Sequence, residues 1–401
     1  MTKLPDGWEI KRLDEIADIV MGQSPPGSSY NENGEGQPFF QGKTEFGDVH
    51  PTVRKYTTAG TKFAKAGDIL MSVRAPVGPT NIADIDCVIG RGLAAIRAKT
   101  VVSQSYLRWS LKHLEIDIQS KGTGTTFDAI TGETLRGTFV ALPPMAEQQK
   151  IVELLEDHLS RINAALADVY CAKSKSSQLK LAILSKVFKG EFFEFELPVL
   201  CINDVAKVMN GDRGKNYPNK SSRVESGVAF INAGHLDNDL LNIEEMDFIS
   251  EERFNLLAAG KIELNDLLFC LRGSLGKVAI NDKFTNGAIA SSLAILRVGP
   301  KVLPKYLYYY FLSPLAAAEI RKHDNGTAQP NLSAANLRRF EVPIPTIEQQ
   351  KIVIDFLDSE LSRTIQASHT FTSLFFIASA MRRSLLQAAF TGQLTKEVVS
   401  V

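Results

Sequence analysis

A phosphate-binding loop is the first chemical site that the sequence suggests. Gly42, Lys43 and Thr44 have the order that ends such a loop, which cradles phosphate with its backbone amides. The motif also needs a glycine five residues before Gly42, and that position holds Gln37. Without this glycine the backbone cannot approach a phosphate closely. The sequence therefore predicts no nucleotide site here.

The motifs of other common enzymes are also missing from the sequence. It contains neither a GxSxG nor an HExxH string, and Gly122 and Gly124 lack the third glycine of a dinucleotide-binding turn. Leu142–Pro143–Pro144–Met145 lacks the polar first residue with which amino-methyltransferases hold a base. The six histidines and four cysteines keep no metal-ligand spacing. We therefore expect no catalytic residue, no metal and no cofactor in this chain.

Composition limits how the chain could bind a polyanion. Lys plus Arg and Asp plus Glu both number 45, which argues against one broad basic surface. Any nucleic-acid contact is expected to be local, with a partner supplying further phosphate contacts. No apolar run reaches the roughly 18 residues that cross a bilayer, and the start of the chain does not resemble a signal peptide. We expect a cytoplasmic protein without membrane contact.

The chain repeats itself. EQQKIV occurs at 147–152 and again at 348–353, a spacing of 201 residues. Around it, DEIADIVMG at 14–22 matches NDVAKVMNG at 203–211, and GDILMSVRAPVG at 67–78 matches NDLLFCLRGSLG at 265–276. The 401 residues are therefore two copies of one unit.

Each copy has a strand-rich part and a helical part. The first part shows short apolar runs broken by Gly, Pro and Asn, whereas 147–188 and 348–390 contain neither Pro nor Gly. This pattern predicts an α+β fold with two pseudo-repeated mixed β/α domains and two long helices that pack on each other. The seam is predicted to contain Leu155, Leu159, Ile162, Leu166, Leu357, Leu361, Ile365 and Phe375.

The two stripes could instead belong to separate core helices. Their length without helix breakers favours pairing, although the polar stretch 173–178 interrupts the first stripe. The predicted segments are a first domain at 1–143, a central helix at 144–190, a second domain at 191–345, a distal helix at 346–393 and a tail at 394–401.

Polar loops in both copies carry the side chains that match the edges of DNA bases. The loop after Gly22 differs in sequence from the loop after Gly211, while the strands around them match. A shared scaffold with different loops suits two readers of different sequences. The candidate contacts of the first copy are Gln23, Ser24, Tyr30, Lys43, Arg54, Arg74, Arg91, Lys121, Thr123 and Thr125. Those of the second copy are Arg213, Lys215, Asn216, Tyr217, Asn232, His235, Arg272, Lys277, Thr327, Gln329 and Asn331.

Each candidate could also be an ordinary solvated residue. Arg74 and Arg272 occupy equivalent places, so they could be shared phosphate contacts or structural ion-pair partners.

The tandem arrangement resembles the specificity subunits of type I restriction-modification enzymes over the whole chain. The resemblance rests on PDGWEIKRL at 5–13, G-D-I-L-x-S-x-R at 67–74, the Gly-Thr loops at 122 and 326, and Phe-x-Gly at 188 and 390. Two departures concern loops only: Asn265 replaces the glycine found at Gly67, and the loop from 122 to 131 is longer than that from 326 to 334.

This resemblance implies two target-recognition domains joined by two long antiparallel coiled-coil helices. It implies a non-catalytic subunit that reads a bipartite, asymmetric site in double-stranded DNA, one half per domain. Two methyltransferase subunits would bring S-adenosylmethionine for adenine-N6 methylation, and restriction and translocase subunits would bring ATP and Mg. The alternatives are a subunit of a methylation-only or phage-defence system, and a repeat scaffold that binds no DNA.

Overall fold

The structure is a computed structural model that describes residues 4–122, 128–237, 240–324 and 331–396. The chain forms two compact units, each considered by itself below. Unit 1 contains Met1–Val169 and Ser373–Val401, and unit 2 contains Tyr170–Thr372. Each unit thus holds one strand-rich part and parts of two long helices.

Unit 1 begins with short strands and ends in a long helix. Its elements are β1 (Glu9–Arg12), α1 (Leu13–Ile16), β2 (Ala17–Met21), β3 (Tyr30–Asn31), β4 (Gln37–Phe40), β5 (Lys55–Thr57), β6 (Phe63–Ala64), β7 (Ile69–Ser72), β8 (Thr80–Ile82), β9 (Cys87–Ile89), β10 (Leu93–Ala98), α2 (Gln104–His113), α3 (Glu115–Ser120), α4 (Gly132–Arg136), β11 (Phe139–Leu142) and the first part of α5 (Met145–Phe188).

Unit 2 repeats this order with one added hairpin and one added helix. Its elements after α5 are β12 (Val199–Cys201), α6 (Ile202–Val205), β13 (Ala206–Asn210), β14 (Arg223–Val224), β15 (Val228–Ile231), β16 (Leu236–Asp237), β17 (Leu240–Leu241), β18 (Asp247–Ile249), α7 (Glu251–Leu256), β19 (Lys261–Ile262), β20 (Leu267–Cys270), β21 (Val278–Ile280), β22 (Gly287–Ile289), β23 (Leu293–Val298), α8 (Pro304–Phe311), α9 (Pro314–His323), α10 (Ala334–Leu337), β24 (Glu341–Pro343) and the first part of α11 (Ile347–Phe390).

The sheets of the two units have the same strand order. A four-stranded antiparallel sheet runs β2-β10-β7-β8 in unit 1 and β13-β23-β20-β21 in unit 2. A five-stranded sheet runs β3-β5-β4-β9-β6 and β14-β18-β15-β22-β19, with one parallel pair in each. The predicted α+β fold with two repeated mixed β/α parts is confirmed.

The pairs Gly67–Asp68 and Asn265–Asp266 directly precede the equivalent buried strands β7 and β20. Gly67 and Asn265 both have a left-handed backbone, with φ of 91° and 69°. Asparagine tolerates that conformation better than most residues with a Cβ. The replacement of glycine by asparagine therefore preserves the turn.

The aspartate that follows each turn forms a buried ion pair. Asp68 accepts two hydrogen bonds from Arg97, at 2.7 and 2.6 Å. Asp266 accepts the equivalent bonds from Arg297, at 2.9 and 2.8 Å. The carboxylates are almost fully buried and the arginines are partly exposed, and each pair ties the start of one core strand to the end of the neighbouring inner strand, β10 or β23.

A buried glutamine attaches α5 to the first strand-rich part. Gln148 donates from Nε2 to the carbonyl oxygens of Val101 and Pro143, at 3.1 and 2.9 Å. Its Oε1 accepts from the backbone of Ser103 at 2.8 Å. One side chain therefore satisfies three backbone groups beside the start of the helix.

The structural counterpart of Gln148 is Gln350. Gln350 donates to Lys301 and Pro345, both at 2.9 Å, and accepts from Leu303 at 2.8 Å. Both long helices have 44 residues, and their starts are 202 residues apart. The spacing of 201 given by the identical EQQKIV strings is therefore one residue out of register with the fold.

The predicted seam residues near the helix ends are buried. Leu155 and Leu159 share the core of unit 1 with Ala389 and Phe390, which lie at the far end of α11. Equivalently, Leu357 and Leu361 share the core of unit 2 with the last turns of α5. In each unit the start of one long helix thus packs with the end of the other, which is the predicted antiparallel pairing.

The seam is less regular towards the middle of the helices. Ile162, Leu166 and Phe375 are half-buried, and the side chain of Ile365 lies outside what the structure describes. The polar stretch 173–178 is almost entirely exposed. Across the described ranges, no helix is both long and apolar enough to span a membrane.

Candidate nucleic-acid interface

The candidate loops leave the four-stranded sheet at a place where two backbones almost touch. A Cβ on Gly22 would lie 2.1 Å from the carbonyl oxygen of Gly90, and one on Gly211 would lie 2.5 Å from that of Ala290. Only glycine fits such an approach. In unit 1 the loop therefore runs past the turn that follows β9, and in unit 2 it runs past the turn that follows β22.

In unit 1 this loop is shaped by prolines and by hydroxyl bonds. Ser24 accepts from the backbone of Arg91 at 3.2 Å, and the Tyr30 hydroxyl donates to the carbonyl of Pro25 at 2.8 Å. The Tyr30 ring stacks on Phe39 with centroids 4.8 Å apart. Tyr30 therefore supports the loop, whereas the side chain of Arg91 is exposed.

In unit 2 a buried carboxylate shapes the start of the loop. Asp212 is only 6% exposed and accepts from the backbone of Gly214 at 2.6 Å and of Ala258 at 2.7 Å. The bond from Gly214, with others from the backbone, holds the pKa of Asp212 below its usual value although burial opposes this. The loop tip presents Arg213 and Lys215 to solvent.

Two other candidates in this loop contact their own unit. Asn216 donates to the carbonyl of Leu256 at 3.0 Å, and the ring of Tyr217 packs edge-on against Phe230 with centroids 5.9 Å apart. Both side chains are half-buried. They fix the loop on the five-stranded sheet.

Asn232 and His235 belong to a buried polar cluster around Asp247. The carboxylate accepts from Asn232 at 2.9 Å and from Arg223 at 2.5 Å, and His235 Nε2 lies 3.5 Å from it. Burial lowers the pKa of His235, while the facing carboxylate acts in the opposite direction. Their prediction as DNA contacts remains a prediction, but in this structure both side chains bind other parts of unit 2.

Arg74 and Arg272 lie at equivalent places, two residues after β7 and two residues after β20. Arg74 forms an isolated bridge with Ala129, and Arg272 forms one with Asn331. Arg272 also donates from Nε to Oδ1 of Asn331 at 3.0 Å. Both arginines are exposed, so the predicted phosphate contact stays open to test.

The remaining candidates are spread over both units. Lys43 and Arg54 are exposed, Lys121 pairs with Asp117 at 2.6 Å, and Lys277 donates to the carbonyl of Leu236 at 2.9 Å. Four candidates lie outside the described residues, namely Thr123, Thr125, Thr327 and Gln329. The contact predictions as a group therefore stay predictions.

Two residues of this region were not foreseen from the sequence. The sequence does not point to Asp212, because acidic residues do not suit DNA contact, or to Ser291, which carries no charge but accepts a bond from Arg213 through its carbonyl oxygen at 3.4 Å. The difference between the copies becomes visible when they are aligned through Gly22 and Gly211, because the carboxylate of Asp212 then stands opposite the amide of Gln23. Within the described part of the chain, no group of three or more metal-ligating side chains comes together.

Comparison with known proteins identifies the family. The sequence model for the type I restriction modification DNA specificity domain matches residues 5–168 and again 196–370. A putative type I restriction enzyme MjaX specificity subunit of Methanocaldococcus jannaschii is 40% identical over 190 residues, which are 46% of this chain and 44% of the relative. That match thus spans less than half of the relative. The EcoBI specificity subunit of Escherichia coli is 18% identical over 99% of this chain and 88% of its own.

Solved structures show the same fold. A chain from a structural study of complex assembly and conformational transition of the type I R-M system has a TM-score of 0.78 at 16% identity, covering 98% of this chain and 99% of that one. The HsdS subunit of Thermoanaerobacter tengcongensis has a TM-score of 0.54 at 18% identity, covering 98% of each chain. With two matches to one family model over most of its length, the chain belongs to the DNA specificity subunits of type I restriction-modification systems.

Proposed function

We propose that this specificity subunit reads a bipartite, asymmetric DNA site, with one half read by each strand-rich part. The observation that carries this proposal is the repeated scaffold with different loops. The sheets match strand for strand, yet Gln23 and Ser24 occupy the places taken in unit 2 by Asp212 and Arg213. Two different polar surfaces on one framework suit two different half-sites.

Residues 1–143 and 191–345 are the two proposed readers. The central helix, 144–190, and the distal helix, 346–393, carry them, and 394–401 is a tail. Exposed basic loop residues provide the groove contacts, while half-buried residues such as Tyr30, Asn216 and Tyr217 hold the loops in shape.

The chain itself performs no chemistry in this proposal. Methylation of adenine N6 belongs to two methyltransferase subunits that bind S-adenosylmethionine. Cleavage belongs to restriction and translocase subunits that use ATP and Mg, and the complex acts on DNA in the cytoplasm. The repeat supports two methyltransferase subunits, because a chain built of two copies of one unit is suited to binding two copies of one partner.

Exposed apolar side chains on the long helices support docking of partner subunits. In unit 1 the α11 residues Phe376, Ile377 and Met381 are 71%, 50% and 54% exposed. Ile377 and Met381 are four residues apart and so lie on one side of the helix. In unit 2 Leu179 and Leu181 of α5 are also exposed. Such a concentration of exposed apolar groups is typical of a protein-binding surface.

Mapping of methylated adenines tests this function. The chain and its methyltransferase subunits are expressed in a host without other adenine methylation, and N6-methyladenine is located by single-molecule sequencing. We expect one sequence with two specified halves and an unspecified spacer. The pure chain with S-adenosylmethionine should give no methylation, and the methyltransferase subunits without the chain should give no site preference.

A binding experiment tests the DNA contact separately. The full chain with its methyltransferase subunits should bind the mapped site more tightly than a random duplex, with an affinity that falls as salt rises. Equal affinity for both duplexes at every salt concentration would contradict the proposal.

A further inference from the structure

At two positions that are equivalent in the two units, the arginine and the serine of unit 1 are swapped in unit 2. In unit 1, Ser24 lies in the loop after β2 and Arg91 lies in the turn between β9 and β10. In unit 2, Arg213 lies in the loop after β13 and Ser291 lies in the turn between β22 and β23. Each unit thus has one arginine and one serine, placed in the opposite order.

The strand registers make these positions equivalent. Met21 pairs with Ala94 in unit 1, and Asn210 pairs with Ala294 in unit 2. The loop residue Ser24 is three positions beyond Met21, as Arg213 is beyond Asn210. The turn residues stand three positions before the paired alanine in both units. The correspondence therefore follows from hydrogen-bonded strands and not from sequence likeness.

Loop and turn contact each other in both units. The backbone of Arg91 donates to the Ser24 hydroxyl oxygen at 3.2 Å. In unit 2 the guanidinium of Arg213 donates to the carbonyl of Ser291 at 3.4 Å. Both arginine side chains are exposed, so each unit presents one guanidinium at this junction, from the turn in unit 1 and from the loop in unit 2.

The backbone beneath each arginine is held firmly. Asp212 accepts a bond from the backbone of Gly214 in Arg213's own loop and another from Ala258 in the segment after α7. Arg91 lies between Gly90 and Gly92, and a Cβ on Gly92 would come within 2.5 Å of the carbonyl of Gln41. A fixed backbone limits the positions of a long side chain, which favours specific contacts over diffuse charge attraction.

From this exchange we propose that Arg91 and Arg213 are functional counterparts, each reading a base of its own half-site. Arginine offers a planar fork of donors that matches the two acceptors of guanine in the major groove. Among the described residues Arg213 bonds only to Ser291, which leaves the rest of its fork available. No hydrogen bond or ion pair joins the Arg91 side chain to another residue that the structure describes. This inference rests on the proposed two-part reading of DNA.

Relocating the arginine of unit 2 gives the sharpest test. Arg213→Ser removes the guanidinium, and the double variant Arg213→Ser with Ser291→Arg returns it from the turn, in the arrangement of unit 1. The full chain with its methyltransferase subunits is measured against the site mapped for the wild type. A set of duplexes, each with one base pair changed, shows which positions are still discriminated.

We expect Arg213→Ser to reduce discrimination by about tenfold at one base pair of one half-site. The other half should be unchanged, and Ser291→Arg should restore most of the lost discrimination. Arg91→Ser should produce the same defect in the other half. Arg161→Ser is the control for lost charge, because Arg161 is exposed on α5 and pairs only with Asp157 among the described residues.

The contrary outcomes are distinct. Equal weakening on all duplexes, with a salt dependence reduced by about one unit, would mark Arg213 as a phosphate contact and overturn base reading. Failure of Ser291→Arg to restore discrimination would overturn the equivalence of the two positions. A wild-type complex that distinguishes no base pair in either half would instead overturn the proposed function, and the inference with it.

Discussion

The attachment of each strand-rich part to its long helix is the same in both units, whereas the loops that leave the sheets differ. Gln148 on α5 bonds to three backbone groups of unit 1, and Gln350 on α11 bonds to the three equivalent backbone groups of unit 2. The loops after Gly22 and Gly211 share neither length nor stabilising bonds. The contacts that hold each unit together therefore repeat, whereas those of the loops proposed to meet DNA differ.

A second attachment shows that the contact is kept even when the residue changes. Trp109 donates from its indole to Glu156 at 3.1 Å in unit 1. In unit 2 the Tyr309 hydroxyl donates to Asp358, which also pairs with Lys305 at 2.7 Å. An aromatic donor on a short helix therefore meets a carboxylate on the long helix in both units.

The largest expected effect is the loss of the helix seam. Leu361→Asp places a charge at a side chain that is 4% exposed, which should lower the free energy of unfolding by about 3 to 5 kcal/mol. Leu179→Asp is the matched control, because Leu179 lies on α5 and is 55% exposed. Denaturant unfolding measures both variants.

The control has a defined outcome of its own. Leu179→Asp should leave stability within about 0.5 kcal/mol of the wild type. Equal destabilisation by the two variants would mean that the seam does not include Leu361.

The next effect tests the register of the long helices. Gln350→Leu leaves three backbone groups without a partner and should cost about 2 to 4 kcal/mol. Gln349→Leu removes only a bond accepted from Thr346 at the helix start, with a cost of about 1 kcal/mol or less. Thermal unfolding of the two variants decides between spacings of 202 and 201. A larger loss in Gln349→Leu would refute the structural register.

The smallest expected effect is a change in stability at low pH, caused by protonation of Asp212 in the loop of unit 2. Because the folded pKa of Asp212 lies below its ordinary 3.8, its carboxylate stabilises the fold above that pH, and this contribution is lost as pH falls through the lower value. Asp212→Asn should therefore be less stable than the wild type at pH 7, by about 1 to 2 kcal/mol. The difference should shrink below about pH 4.

Unit 1 provides the comparison for this acid effect. Gln23 occupies the position of Asp212 but is exposed, so Gln23→Ala should change stability by less than about 0.5 kcal/mol at either pH. A gap between the wild type and Asp212→Asn that persists unchanged at pH 3 would show that the charge of Asp212 is not responsible.

The sequence predicted the repeat, the two mixed β/α parts and the long helices, because glycine placement and apolar periodicity report directly on local structure. The identical EQQKIV strings give a spacing one residue out of register with the long helices, whereas the predicted seam positions Leu155 and Leu357, like Leu159 and Leu361, stand 202 residues apart. A helix turns about 100° per residue, so a slip of one position changes which side chains are buried, while six identical letters stay aligned. The spacing of 202 between Phe188 and Phe390 was the better indicator.

The candidate site was harder to predict because burial depends on distant partners. Asn232 and His235 look like polar loop residues in the sequence, yet they face Asp247 across the sheet. The role of Asp212 likewise depends on Ala258, which is 46 residues away along the chain. Arg91 and Lys215, whose side chains have no such partner among the described residues, stay predicted DNA contacts.

Exchange of one reader tests the central claim most directly. Residues 1–143 are replaced by the equivalent part of another type I specificity subunit, with the long helices left intact, and methylated adenines are mapped in a host that supplies the methyltransferase subunits. We predict that one half of the recognised site changes to that of the donor subunit, while the other half stays the same. A change in both halves, or in neither, would contradict independent reading by the two units.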